Sequence, residues 1–320
     1  MTHHGPDAPR LFGVLVTYRR PDDLEHHLTC LRKQTRTLDQ LTVVDNAPTP
    51  VNERLVATYR DTAPVVYLPS KENSGAAGGI AQGLRATLPF ATERDWVVLL
   101  DDDNPPRRDD LLERLFDFAR RQQDDLRVGA VGLTGSRFDW RRARLVRPSD
   151  RELDGSLDVD FIGGNQFPML RVGAVREVGV FRGELFWGLD DLDFGLRLRG
   201  LGYRVMVSGE LVRWARAFHG HLGLGPRTAT VSMGRSMWRQ YYTLRNLIDI
   251  LRRSGHPWLA TRVAVSRGLA KGGVQALRSP RHGAAVLRFT ARAIVDGWSG
   301  NLGRTVEPVT STNGDAARNE

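Results

Sequence analysis

Three consecutive aspartates, Asp101, Asp102 and Asp103, follow the wholly apolar run WVVLL at 96–100. Ligands of open α/β sheets bind at the carboxyl ends of strands. Side chains alternate along an extended chain, so Asp101 and Asp103 are expected to face the same way. Two carboxylates so placed suit a hard divalent cation, Mn²⁺ or Mg²⁺, with phosphate oxygens completing its shell. The plainer alternative is a turn-forming acidic cluster, although the mutual repulsion of three aspartates at a strand end calls for compensation.

A second acidic cluster, Asp190, Asp191 and Asp193, follows Phe186-Trp187-Gly188. Carboxylates at a helix start interact well with the macrodipole. Simple capping explains one of them more easily than three. Beside an aromatic wall, such a carboxylate can also act as a general base. His219-Gly220-His221 follows the run LVRWARAF and offers imidazole nitrogen to a metal. The loop NSGAAGG at 73–79 permits close backbone approach to a ligand, which by itself is weak evidence.

Positioning these groups requires a layered scaffold. Short apolar runs alternate with amphipathic stretches over the first two hundred residues, the signature of an α/β fold built from βαβ units. Strands are predicted at 11–18, 41–46, 65–70, 96–100, 128–133, 161–171 and 203–209. Helices are predicted from Pro21 to Lys33, from about 52 to Tyr59, from the Gly-rich loop to Leu88, from Asp109 to Gln123 and from Asp190 to Leu201. Residues 134–160 read as a loop or hairpin insertion. Beyond Arg235 the period becomes helical, through YYTLRNLIDILRR, 257–277 and 281–297.

In this order the motifs VLVTYRRP (14–21), VVDNA (43–47), NSGAAGG, WVVLLDDD (96–103), FIGGNQFPMLR (161–171), FWGLDDLDFGLRLRGLGYRV (186–205), HGH and QYYTLRN (240–246) make a pattern. The sequence resembles the family 2 glycosyltransferases of the GT-A fold over about residues 11–250, closest to the bacterial galactofuranosyl- and rhamnosyltransferase branch. The resemblance implies a mixed, mostly parallel sheet flanked by helices, with a C-terminal helical extension. It implies that Thr17, Arg19 and Asp45 line the nucleoside pocket, Asp45 accepting from a pyrimidine base, and that Asn73, Gly79 and Asp102 lie along the donor. Asp101 and Asp103 match the pair that binds the cation, with His219 or His221 as third ligand; the place after the aromatic run favours His219. Asp191 matches the catalytic base, with Trp187, Asp190 and Asp193 around the acceptor. Where the branch often shows Trp-Asp-Asp, this sequence has Leu189-Asp190-Asp191, with the tryptophan three residues before Asp190.

The chemistry implied is transfer of a sugar, galactofuranose or rhamnose, from a UDP- or dTDP-linked donor to a hydroxyl of a cell-envelope glycan or lipid-linked acceptor. A bound cation stabilises a leaving diphosphate, and a carboxylate takes the proton of the attacking hydroxyl. One displacement with one base inverts the anomeric centre.

The 320 residues carry a formal net charge of +9 and one cysteine, Cys30, which excludes an internal disulfide. Residues 1–234 are balanced at 32 basic and 32 acidic side chains, whereas 235–304 hold 13 basic and two acidic. The expected organisation is a short N-terminus (1–10), a catalytic domain (11–234), a basic helical region (235–304) and a polar tail (305–320). With Trp238, Trp258, Phe289 and Trp298 among its arginines, the basic block reads as packing helices or as a surface for an anionic membrane. Nucleic acid is not expected, because no known binding motif accompanies the charge. Without a signal peptide or an apolar run of about 18 residues, the expected location is cytoplasmic, peripheral at the inner face of the plasma membrane. The rival readings are a non-catalytic basic module on an α/β scaffold and a metal-dependent nucleotidyltransferase.

Overall fold

The computed structural model describes residues 8–218, 227–230, 236–269 and 280–308. The chain divides into two compact units. The first comprises 1–183 and 190–231, the second 184–189 and 232–320.

The first unit is built on eight strands: β1 (Leu11–Thr17), β2 (Gln40–Asp45), β3 (Val65–Pro69), β4 (Trp96–Asp101), β5 (Val128–Gly132), β8 (Ser156–Val159), β9 (Met169–Arg171) and β10 (Arg204–Ser208). Their order is β3-β2-β1-β4-β9-β5-β10-β8. The β3-β2-β1-β4 half is parallel, β5 and β10 are parallel, and β9 and β8 run antiparallel to their neighbours. The sheet is therefore mixed and mostly parallel, as the alternation of apolar runs and amphipathic stretches requires. The insertion at 134–160 contributes β8 and a hairpin of β6 (Arg137–Asp139) and β7 (Arg144–Arg147), which β11 (Arg227–Thr230) extends.

Helices cover both faces, and the strands are apolar on both sides for that reason. Leu11 and Leu15 pack with α1 (Pro21–Arg32), α2 (Pro50–Ala57), α4 (Leu111–Arg121) and α7 (Gly209–Phe218). Phe12 and Val14 pack with α3 (Gly75–Thr87), α5 (Val172–Val178) and α6 (Asp190–Gly200). Each fully buried leucine in these layers contributes about 1.5–3 kcal/mol of transfer free energy.

Two local expectations are corrected. The run 161–171 is a strand only over its last three residues; Gly164–Gln166 form a turn of 3₁₀ helix and Phe167 is left-handed at φ 50°. The glycines of NSGAAGG lie inside α3 rather than in a loop before it. A β-carbon at Gly79 would come within 2.5 Å of Val16 Cγ1, and one at Gly83 within 2.4 Å of Val14 Cγ1. Spaced one helical turn apart, these two glycines let α3 lie close on β1.

The second unit contains α8 (Met237–Arg253), α9 (Pro257–Val263), a π-helical stretch (Ala264–Leu269) and α10 (Pro280–Ser299). Segment 184–189 belongs to it because α8 holds that backbone. Arg245, fully buried, donates from Nη2 to Leu185 O (2.9 Å) and from Nη1 to Gly303 O (2.7 Å). Asn246 Nδ2 lies within 3.0 Å of the carbonyls of Leu185, Trp187 and Gly188. These donors offset the cost of the left-handed backbone at Phe186 and Leu189, both at φ 63°.

Candidate active site

Strand β4 delivers Asp101 to the carboxyl edge of the sheet, and the chain then turns, Asn104 N donating to Asp101 O at 3.1 Å. The turn ends the strand alternation, and the three aspartates meet different partners. Asp102 is buried and accepts from Thr17 Oγ1 (2.8 Å) and Tyr18 N (3.3 Å), which ties the ends of β1 and β4 together. Asp103 is exposed and ion-pairs with Arg20, whose Nη1 also lies 3.6 Å from Asp102 Oδ1. Sequence reasoning passed over Arg20; its signal was a second arginine in VTYRRP, just past the strand paired with the one that ends in three acids.

Asp101 and Asp191 meet at the Gly163–Gly164 backbone. A β-carbon at Gly164 would sit 3.4 Å from Asp101 Oδ2, and one at Gly163 would sit 3.6 Å from Asp191 Oδ2. Helix α6 reaches this position because Gly195 lets it press on Asp160 and Phe161, where a β-carbon would come within 2.4 Å of Asp160 O. Asp191 Oδ1 accepts from Leu192 N at 2.7 Å. The two glycines were legible as a motif, but their place between the carboxylates follows only from the packing of α6.

The electrostatics record a concentration of negative charge. Desolvation, then repulsion from Asp103, Asp102 and Asp191, raises the Asp101 carboxyl to about 7. Asp102 is raised to about 6 by desolvation, with Thr17 and Arg20 pulling the other way. Asp190 and Asp191 are both raised, Asp190 by desolvation and then by Asp191, Asp191 by desolvation against the backbone N–H groups that hold it. Carboxyls tuned toward neutrality in a recess are what general-base chemistry and cation binding both use.

The donor set matches a hard cation in chemistry, since oxygen ligands crowded at raised proton affinity are relieved by a divalent ion. Among the described residues, no three carboxylate, imidazole or thiol groups converge as a preformed cage. His219 and His221 lie outside the described residues.

The other expected residues fall into two groups. Arg19 is exposed, left-handed at φ 55°, with its guanidinium 5.1 Å from the Tyr18 ring. Asn73 is half-buried, its Oδ1 accepting from Gly75 N at the start of α3 (2.9 Å). By contrast, Asp45 is fully buried and accepts from Ala47 N (2.9 Å), Asn52 Nδ2 (2.8 Å) and Tyr67 OH (2.8 Å), which makes it the anchor of the β2–α2 turn. Gly79 is buried against Val16, so its place is in helix–strand packing rather than along a donor. Asp193 is buried with one oxygen on Arg182 (3.1 Å) and the other on Arg197 (2.9 Å), so its carboxylate holds α6 instead of facing an acceptor. Trp187 belongs to the second unit, where its ring lies 5.1 Å from that of Trp238. Asn46, unremarked in the sequence, joins β2 to α3 by donating to Gly75 O (3.1 Å) and accepting from Ser74 Oγ (2.9 Å).

The family model for glycosyl transferase family 2 matches residues 14–179, just over half the chain, from within β1 to the end of α5. The chain belongs to glycosyl transferase family 2. Within that family it is 45% identical over 96 residues to galactofuranosyltransferase GlfT1 of Mycobacterium tuberculosis, covering 29% of this chain and 30% of that protein. It is 22% identical to the amylovoran biosynthesis glycosyltransferase AmsE of Erwinia amylovora, over 65% of this chain and 76% of the other. The match to GlfT1 thus spans under a third of that relative's length. Among solved structures, GalNAc-T7 with UDP, GalNAc and Mn²⁺ aligns at TM-score 0.55 and 12% identity, covering 78% of this chain and 48% of that one. Staphylococcus aureus TarS 1–349 in complex with UDP aligns at 0.51 and 14%, covering 90% and 89%. These likenesses establish the GT-A fold of a family 2 member.

Proposed function

We propose that this family 2 protein is an inverting, cation-dependent glycosyltransferase that moves galactofuranose or rhamnose from a nucleotide diphosphate to a hydroxyl of a cell-envelope glycan or glycolipid. The observation that carries the reading is the approach of Asp101 and Asp191 to one Gly163–Gly164 backbone segment, beside the Thr17–Asp102 edge of the sheet. The GlfT1 similarity and the UDP in the TarS and GalNAc-T7 structures support a UDP-linked donor.

In this mechanism Asp101 and Asp103 would hold Mn²⁺ or Mg²⁺, which when bound supplies positive charge to a departing diphosphate. His219, or His221, is the further ligand proposed from the family pattern. Arg20 holds Asp103 in the free protein and would pass to the donor phosphate when Asp103 turns to the cation. Thr17 and Tyr18 N–H fix Asp102, so the acidic turn keeps its shape. Exposed Arg19 and half-buried Asn73 line the donor side, while Asp45 supports that side through Asn52 and Tyr67. Asp191 takes the acceptor proton at a carboxylate oxygen; its raised proton affinity makes it a stronger base than a solvated aspartate. Asp190 beside it, with Trp187 three residues earlier, is assigned to the acceptor.

Metal-dependent release of UDP from UDP-galactofuranose, with product anomer determined by NMR, tests the proposal. Retention of configuration would refute the single displacement, and turnover unchanged by chelation would refute the cation.

The second unit supports a peripheral membrane role. Between 237 and 304 the only acids are Asp249 and Asp296, and both are buried on internal partners. The exposed face of α9 carries Trp258, 86% exposed, with Arg262, Val265 follows in the π-helical stretch, and that of α10 carries Arg288, Val295 and Trp298. On α9 and α10 the basic and indole side chains have no exposed carboxylate among them, Glu184 and Glu307 being exposed elsewhere in the unit, and such faces fit an anionic bilayer surface. Among the described residues no helix is long and apolar enough to cross a membrane. Co-sedimentation with vesicles of phosphatidylglycerol should occur and fall with salt; equal binding to neutral vesicles would refute the charge argument.

A further inference from the structure

Helix α6 lies between two segments of the first unit, and its residues divide by face. At about 100° per residue, positions four apart align and positions two apart oppose, so Asp191 and Gly195 share one side while Asp193 and Arg197 share the other. The contacts follow that division. On the first side Asp191 reaches Gly163, and Gly195 presses on Asp160 and Phe161. On the second, Asp193 and Arg197 meet residues 178–182, the stretch by which the chain leaves α5.

The second side is held by charge. Asp193 is 5% exposed, with Oδ1 accepting from Arg182 Nη1 (3.1 Å) and Oδ2 accepting from Arg197 Nε (2.9 Å). Arg197 also donates from Nη1 to Val178 O (3.0 Å) and from Nη2 to Val180 O (2.9 Å), so every nitrogen of one planar guanidinium is placed. Val178 ends α5, and its carbonyl has no partner within that helix. Beside this network the buried rings of Phe181 and Phe194 stack at 4.4 Å. Such a set of directional bonds fixes the rotation of α6 about its own axis as well as its position. A turn of about 10° moves a side-chain tip about 5–6 Å from the axis by roughly 1 Å, and a misplacement of about 1 Å at a reacting group can cost about a hundredfold in rate.

We propose that Asp193, Arg197 and Arg182 are positioning residues for Asp191. The inference rests on the transferase reading, in which Asp191 takes the acceptor proton. The network sets the rotation of α6 from the side opposite Asp191 and so keeps that carboxylate at the Gly163–Gly164 backbone.

Two measurements on the full chain test it. The first is hydrogen exchange read by mass spectrometry on peptides from 190–200 and, for reference, from 75–87. Asp193→Asn and Arg197→Gln should speed exchange in α6 and leave α3 at the wild-type rate. The second is UDP release from UDP-galactofuranose in Mn²⁺, with UDP affinity measured by calorimetry. The same variants should lower kcat by about tenfold or more while donor KM and UDP affinity stay within about twofold. Arg197→Lys keeps a cation beside Asp193 but cannot also hold both carbonyls, so it should recover only part of kcat; it decides the matter if the other two do not fold. Arg120→Gln, which breaks the exposed pair with Asp117, should behave as wild type. Wild-type kcat in the folded variants, or a loss shared equally by kcat and UDP affinity, would overturn the positioning role. If the wild-type chain releases no UDP, the transferase reading falls and Asp191 is no base; faster exchange in α6 would then still uphold the hold on the helix, and unchanged exchange would overturn it.

Discussion

The carboxylate of Asp191 repels that of Asp101 at the Gly163–Gly164 backbone, although Asp101 ends a central strand and Asp191 lies in the first turn of a helix far along the chain. Their pairing is unfavourable for the empty protein.

Removing one charge should stabilise the cation-free fold and abolish its chemistry. The Asp101 carboxyl at about 7 lies above its unfolded value of 3.8, so the folded state binds more protons between these values. Stability from this group is therefore full below pH 3.8 and is lost as pH rises toward 7. Asp101→Asn should raise Tm in EDTA at pH 7.5 by about 2–4 °C for each kcal/mol relieved, flatten that part of the pH profile, and eliminate metal-dependent turnover. Differential scanning calorimetry across pH with a UDP-release assay checks all three; a lower Tm at pH 7.5 would count against the repulsion.

His27 should act in the opposite direction. It is fully buried on α1, and desolvation lowers it to about 4 against the backbone of Asp101 and Asp102, which favours its charged form. Its folded value lies below the unfolded 6.5, so its contribution is present above pH 6.5 and lost as pH falls toward 4. His27→Leu should blunt acid destabilisation in that window. An unaltered acid limb in urea melts at pH 7, 5.5 and 4.5 would exclude this origin.

Two glycine-to-alanine changes should separate packing from chemistry. At Gly79 the new methyl meets Val16 Cγ1 at 2.5 Å, so α3 must shift and stability should fall by about 1–3 kcal/mol. At Gly164 the methyl makes an ordinary 3.4 Å contact with Asp101 Oδ2, so folding should survive while metal-dependent turnover drops. Denaturant melts paired with kcat measurements distinguish them, and a Gly164→Ala enzyme with wild-type kcat would displace Gly164 from the site.

Asn246→Ala should loosen the backbone that leads into Asp190. The change strips the amide donor from the Leu185, Trp187 and Gly188 carbonyls; Leu185 O keeps Arg245, while the part-buried carbonyls of Trp187 and Gly188 lose this partner, a cost of about 1–3 kcal/mol. We expect a lower Tm and a kcat reduced more than the donor KM is raised. A change confined to donor KM would argue that the loop does not position the base.

Much of this protein follows from local pattern. The strand ending at Asp101 and the helix beginning at Asp190 were readable from WVVLL and from the aspartates opening a 3.6-residue period. Those signals sit in contiguous residues, so the sequence alone determined the α/β class and the two acidic clusters. What it left open depends on partners distant in the chain. Asp45 and Asp193 look like ligands in a motif, and only tertiary contacts with Asn52, Tyr67, Arg182 and Arg197 turn them into anchors. The NSGAAGG glycines look like a ligand loop until α3 is set against Val14 and Val16. The +9 charge said nothing of Arg20. Its pairing with Asp103 was decided by the fold, because neutralisation depends on which carboxylates lie within a few ångströms, a distance that a linear sequence does not contain.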